Sequence, residues 1–120
     1  VLEHYTEEAR RVIFFARYEA SRLGSPILET EYLWLGLLRQ SKKAVKRLAP
    51  RITTEAIHAR LTRRGESGER ISITVEIPLS DETTRVLAGA AAEAANRGQT
   101  YITDEYLILA LLREEASASV

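Results

Sequence analysis

Cysteine is absent from the 120 residues, which removes disulfides, thiolate nucleophiles and cysteine-ligated metals together. Histidine is almost as scarce. His4 and His58 are the only two, and neither shares an apolar helix face with a carboxylate or a second histidine, so no metal and no cofactor are expected. There is no glycine-rich G-x-x-x-x-G-K-[ST] loop for a nucleotide, and no acid–base pair or triad can be assembled, so the chain is read as non-enzymatic. No apolar run approaches the ~20 residues that a membrane span needs. Without a basic leader followed by an apolar core, the expectation is no membrane contact and a cytoplasmic location. Lys+Arg and Asp+Glu each number 17, so no global field draws the domain to nucleic acid or anionic lipid.

What remains is 45% hydrophobic and 28% charged residues, the balance of one globular domain spanning 1–120. Its organisation comes from a duplication. Shifted by 74 residues, Thr6 to Arg39 falls on Ser80 to Arg113 without a gap, and 14 of the 34 pairs are identical. The matches include Glu8/Glu82, Arg11/Arg85, Glu19/Glu93, Gly24/Gly98 and Glu31-Tyr32-Leu33 against Glu105-Tyr106-Leu107.

Each repeat opens with a helix. Ala9, Val12, Ile13, Ala16, Ala20 and Leu23 in the first, and Val86, Leu87, Ala90 and Ala94 in the second, recur at helical spacing. Thr6 and Ser80 precede these helices as N-caps, and Gly24 and Gly98 follow them as left-handed C-terminal caps. Thr30 and Asp104 are expected to cap a second, leucine-rich helix that is apolar on nearly every side and so belongs in the middle of a bundle. Gly36 and Ala110 are small enough there to let a neighbouring helix come close.

The first repeat continues with short helices around 44–49, stopped by Pro50, and 54–64; the second has no match to these. This predicts an all-α, pseudo-two-fold bundle: repeat one at 5–64, linker at 65–79, and repeat two at 80–120, apparently truncated. In the linker, Ile71, Ile73, Val75 and Ile77 alternate with polar residues. They are expected to lie on the helices as an extended connector or, as an edge strand, to pair with a bound peptide or a second copy in a homodimer.

The paired motifs, Tyr5-Thr6-Glu7 through Phe15-Ala16 and Thr30-Glu31-Tyr32-Leu33 through Arg39, repeated over Ser80 to Arg113, resemble the amino-terminal Clp repeat domain of Clp unfoldases. Tyr32 and Tyr106 stand where that family usually has histidine. The resemblance implies a module that hangs from a ring-shaped Clp ATPase and receives substrate or adaptor proteins. In ClpC-type members each repeat forms a pocket for phosphorylated arginine, implying Thr6 with Glu31 and Ser80 with Glu105. Hydroxyls suit a phosphate and carboxylates suit a guanidinium.

Two surfaces compete with that reading. From Arg39 to Arg64 the chain carries nine basic residues against Glu55 alone, which supports an alternative: binding of nucleic acid or an acidic surface. No aromatic residue interleaves to stack a base, so nucleic acid is not the expected partner. Phe14 and Tyr18 have small counterparts, Ala88 and Ala92, in the second repeat, and either fill the space left by that asymmetric repeat or form an exposed patch for a partner.

Overall fold

The computed structural model describes residues 2–65, 68–72 and 75–118. Six helices follow one another: α1 Glu7–Arg22, α2 Thr30–Gln40, α3 Lys42–Leu48, α4 Thr54–Arg63, α5 Asp81–Asn96 and α6 Asp104–Ala118. The described residues contain no strand, only two isolated bridges.

Local signals account for the ends of α1 and α5. The Thr6 and Ser80 hydroxyls accept from the amides of Ala9 and Thr83. At the other end Gly24 and Gly98 take φ near 69° and 68°, and their amides close back on Ser21 and Ala95 while the next amides reach Ala20 and Ala94. These are the paired 5→2 and 6→1 bonds that terminate a helix through a left-handed residue. Two expected N-caps move, from Thr30 to Glu29 at α2 and from Asp104 to Thr103 at α6. The amide of Tyr32 already bonds the Glu29 carbonyl, so Glu29 rather than Thr30 is the N-cap of α2, and it caps with no side-chain bond. At α6 the Thr103 hydroxyl receives the Tyr106 amide and Asp104 receives that of Glu105.

α2 occupies the centre, as its all-round apolar sequence predicts, and touches each of the other five helices. Every residue from Glu31 to Leu37 is buried. Leu33, Leu37, Leu107 and Leu111 are shielded from water, and burial of such side chains contributes roughly 1.5–3 kcal/mol each. The fully buried Trp34 indole donates to Glu115 Oε2 at 2.6 Å, and Arg60 holds the same oxygen at 3.1 Å, so α2 and α4 are tied to α6. α1 and α2 come unusually close at Gly36, where a methyl group would lie 2.3 Å from the Val12 carbonyl oxygen.

The duplication is visible as a pseudo-two-fold exchange. Tyr5 bridges Ile102 and Leu79 bridges Leu28, both in parallel. Under the 74-residue offset Tyr5 maps to Leu79 and Leu28 to Ile102, so each bridge is the image of the other. Their hydrogen bonds match as well: Thr6 and Ser80 donate to Ile102 and Leu28, which donate to His4 and Pro78.

The linker departs from its expected path. Ile77 is buried and Ile71 half-buried, but Val75 is 49% exposed, and Ile73 lies outside the described residues. Main-chain bonds decide this. Gly68 and Ile71 donate to the carbonyls of Leu23 and Ser21 at the end of α1, and a Val75 to Ser72 bond bends the chain before it reaches Leu28. The segment is thus tied to the first repeat at both ends, through the Gly68 and Ile71 amides and through the Pro78 carbonyl, which accepts from Leu28.

Candidate functional site

The bridges create two equivalent seams, each where the start of one repeat's first helix meets the start of the other repeat's second helix. Thr6 at the head of α1 bonds to Ile102, three residues before Glu105. Ser80 at the head of α5 bonds to Leu28, three residues before Glu31. The main chain therefore joins the start of each repeat's first helix to the turn before the other repeat's acid, whereas the grouping implied by resemblance takes hydroxyl and acid from one repeat. The reason is helix length. The 16 residues of α1, about 24 Å at 1.5 Å per residue, separate Thr6 from the turn that leads to Glu31.

At the first seam an open depression of about 490 Å³ lies between the start of α1, the α2–α3 turn and the start of α6. Arg39, Lys42 and Lys43 line one part and Glu8 and Asp104 another. Ser41 also lines it; this residue is only 8% exposed and its hydroxyl has no hydrogen-bond partner among the described residues. Glu105, half exposed, pairs with Arg47 of α3. At the second seam Arg64, at the end of α4, bridges Glu29 and Glu31, reaching Glu31 Oε1 at 2.9 Å. Sequence reasoning missed both arginines, whose only signal was their place in the basic segment.

Four of the nine basic residues of that segment are paired within the fold. Arg39 pairs with Glu19, Arg47 with Glu105, Arg60 with Glu115 and Arg64 with Glu29 and Glu31. The acids come from elsewhere in the chain or from other helices, so the run of like charge does not become an equally large basic face.

Phe14 is 55% exposed and rests edge-on against Phe15, which rules out a space-filling role for Phe14. Phe15 and the half-buried Tyr18 lie under the Arg39 guanidinium at 4.5 and 5.5 Å from their ring centroids. Three other exposed apolar residues flank the seams: Tyr101 beside the first, Ile27 and Leu79 beside the second. Tyr101 and Ile27 are themselves equivalent under the repeat.

Hydrogen bonds from Arg97 first and Arg113 second hold the Glu93 carboxyl below the usual carboxylate range. A bond from Arg85 does the same to Glu114. Burial raises the Tyr5 hydroxyl above its ordinary value. No group of three or more potential metal ligands gathers among the described residues, and no helix there is long and apolar enough to cross a membrane.

A duplicated all-helical domain whose two repeats meet at paired surface seams defines the class of fold. The chain belongs to the Clp repeat (R) N-terminal domain family, which it matches over residues 4–120. It is 34% identical over 119 residues to the chloroplastic ClpA homolog, an ATP-dependent Clp protease ATP-binding subunit, of Brassica napus, and equally to the chloroplastic chaperone protein ClpC of Pisum sativum. These matches cover 95% of this chain but only 13% and 12% of the relatives. Among solved structures, the N-terminal domain of ClpD from Arabidopsis thaliana superposes with a TM-score of 0.76 at 29% identity, covering 99% of this chain and 82% of that one. The Hsp104 N-terminal domain of Candida albicans shares the fold, with a TM-score of 0.70 at 21% identity over 98% of this chain and 79% of its own.

Proposed function

We propose that the chain is a protein-binding module that receives substrate or adaptor proteins for a Clp ATPase, with phosphorylated arginine as a recognition element. The observation that carries this reading is the first seam. Cationic and anionic side chains line one depression there, and one of them, Arg47, pairs with Glu105, a combination suited to a ligand with a phosphate at one end and a guanidinium at the other. Ser80 and Glu31 form the equivalent constellation, and Phe14 with Tyr18 supplies a separate aromatic surface for a partner. The module would share the compartment of the ATPase it serves, cytoplasm or, as in the relatives named above, chloroplast.

Fluorescence anisotropy with a labelled, unfolded, arginine-phosphorylated polypeptide tests the reading. Binding is expected for that form and not for the same polypeptide unphosphorylated. Equal binding of both would remove phosphoarginine from the reading, and binding of neither would remove the reading itself.

A further inference from the structure

Charge is unevenly placed along this chain although it sums to zero. Lys+Arg and Asp+Glu balance at 17 each, so nine bases against Glu55 in residues 39–64 leave an acidic excess of equal size outside that segment. Five of the nine bases, Lys42, Lys43, Lys46, Arg51 and Arg63, are exposed and make no ion pair among the described residues. Three of these stand on α3, whose first turn holds no acid and whose lysines there oppose the helix dipole. No described acid neutralises them.

Lys42 and Lys46, one turn apart, border a groove of about 320 Å³ that is lined also by the apolar Leu38, Val45, Pro50 and Ile52. It is separate from the depression at the first seam, with which it shares only Lys42. Apolar lining beside unpaired cations fits an aliphatic side chain flanked by carboxylates. The chain carries such a segment itself: residues 76–82 read Glu76-Ile77-Pro78-Leu79-Ser80-Asp81-Glu82. Leu79 is 45% exposed, and Glu76, Asp81 and Glu82 are exposed and make no ion pair among the described residues.

Groove and segment stand at opposite ends of α2. Leu79 bridges Leu28, before the start of that helix, whereas Lys42 follows its end, and its 11 residues span about 16 Å. We propose that copies of this chain associate head to tail, the 76–82 segment of one docking in the α3 groove of the next. Leu79 packs against Leu38 and Pro50, and the carboxylates meet Lys42 and Lys46. Glu55, on the α4 side of the groove, repels those carboxylates and so fixes them on the lysine side. The contact is heterologous: every copy added leaves one groove and one segment free, so association runs past the dimer unless a ring closes. It uses side chains and needs no strand pairing by the linker. Its ion pairs are exposed and its area is small, so a dissociation constant of about 0.1–1 mM is expected at low salt.

Sedimentation of the whole chain without ligand tests this and stands apart from the binding reading above. The average mass should rise past that of a dimer as concentration approaches about 1 mM at low salt, and return to that of a monomer in about 0.5 M salt. Lys42→Glu/Lys46→Glu and Glu76→Lys/Asp81→Lys should each associate at least about tenfold more weakly. An equimolar mixture of the two should recover association, because the native groove of one then meets the native segment of the other. The first variant places an acid in the first turn of α3 and keeps its fold. Leu79→Ser leaves every charge in place; it should also weaken association, and it carries the test should Asp81→Lys unfold α5. A wild type that stays monomeric at the highest concentration, a dimer indifferent to salt, or a mixture no more associated than its two components would overturn the proposal.

Discussion

Gly36 and Ala110 stand at equivalent positions of the two repeats; the first is pressed against the Val12 carbonyl, and the second carries a methyl group, 3.7 Å from where a Cβ on Gly89 would lie. Around Gly36 the first repeat brings α1 and α2 together and pushes its bulk, Phe14, Phe15 and Tyr18, to the outer side, where Arg39 covers two of the three rings. The second repeat has Ala88, Gly89 and Ala92 at those places and invests in charge. Its Glu93 receives Arg97 at 2.7 Å and Arg113 at 2.6 Å, where the equivalent pair in the first repeat, Glu19 with Arg39, spans 3.7 Å. Arg85 pairs with Glu114, and Gln40 stands where a first-repeat partner would be. Both halves carry ion pairs, Glu19 with Arg22 at 2.7 Å among those of the first, so what separates them is the close approach of helices at Gly36.

The largest test of that difference is Gly36→Ala. The added methyl meets main chain, which cannot swing aside, so a loss of about 1–3 kcal/mol is expected in urea unfolding. Ala110→Gly should cost no more than about 1 kcal/mol, the helix propensity of glycine. Equal costs would mean that the two interfaces are packed alike.

Acid provides the next test. Glu93 and Glu114 titrate below the ordinary value of 4.5 in the folded chain, so the unfolded chain binds more protons in that window. Their stabilisation is complete above 4.5 and is lost as pH falls through the lower folded values. Urea unfolding of Glu93→Gln/Glu114→Gln should therefore depend less on pH than wild type below about pH 5. An unchanged slope would show that the second repeat's ionic lattice contributes nothing.

The smallest expected effect is that of Phe14→Ala. An exposed ring with one edge contact should cost within about 0.5 kcal/mol, leaving Tm nearly unchanged. A loss of several degrees would return Phe14 to the core of the first repeat.

Much of the fold was legible because its determinants are local. Helical spacing, Thr6 and Ser80 as caps, and Gly24 and Gly98 as stops each act within a few residues, and the repeat itself announced the pseudo-two-fold plan. The candidate site was legible only in its residue types. Thr6, Ser80, Glu31 and Glu105 were identifiable by duplication, but an internal repeat says nothing about which half a hydroxyl will face. The linker failed for a related reason: alternation predicted a buried face at Val75, and capping of the α1 carbonyls outweighed it.

By itself the sequence determined six helices, their order, the central place of α2 and membership of a duplicated family, since periodicity and capping are properties of neighbouring residues. Tertiary structure alone decided that the seams are crossed between repeats, that Arg47 and Arg64 reach the two duplicated acids, and that Thr83 donates to the Leu28 carbonyl where its counterpart Ala9 has no hydroxyl to give. Those pairings join residues 33 to 96 positions apart, and their strength depends on burial and direction, which no local pattern records.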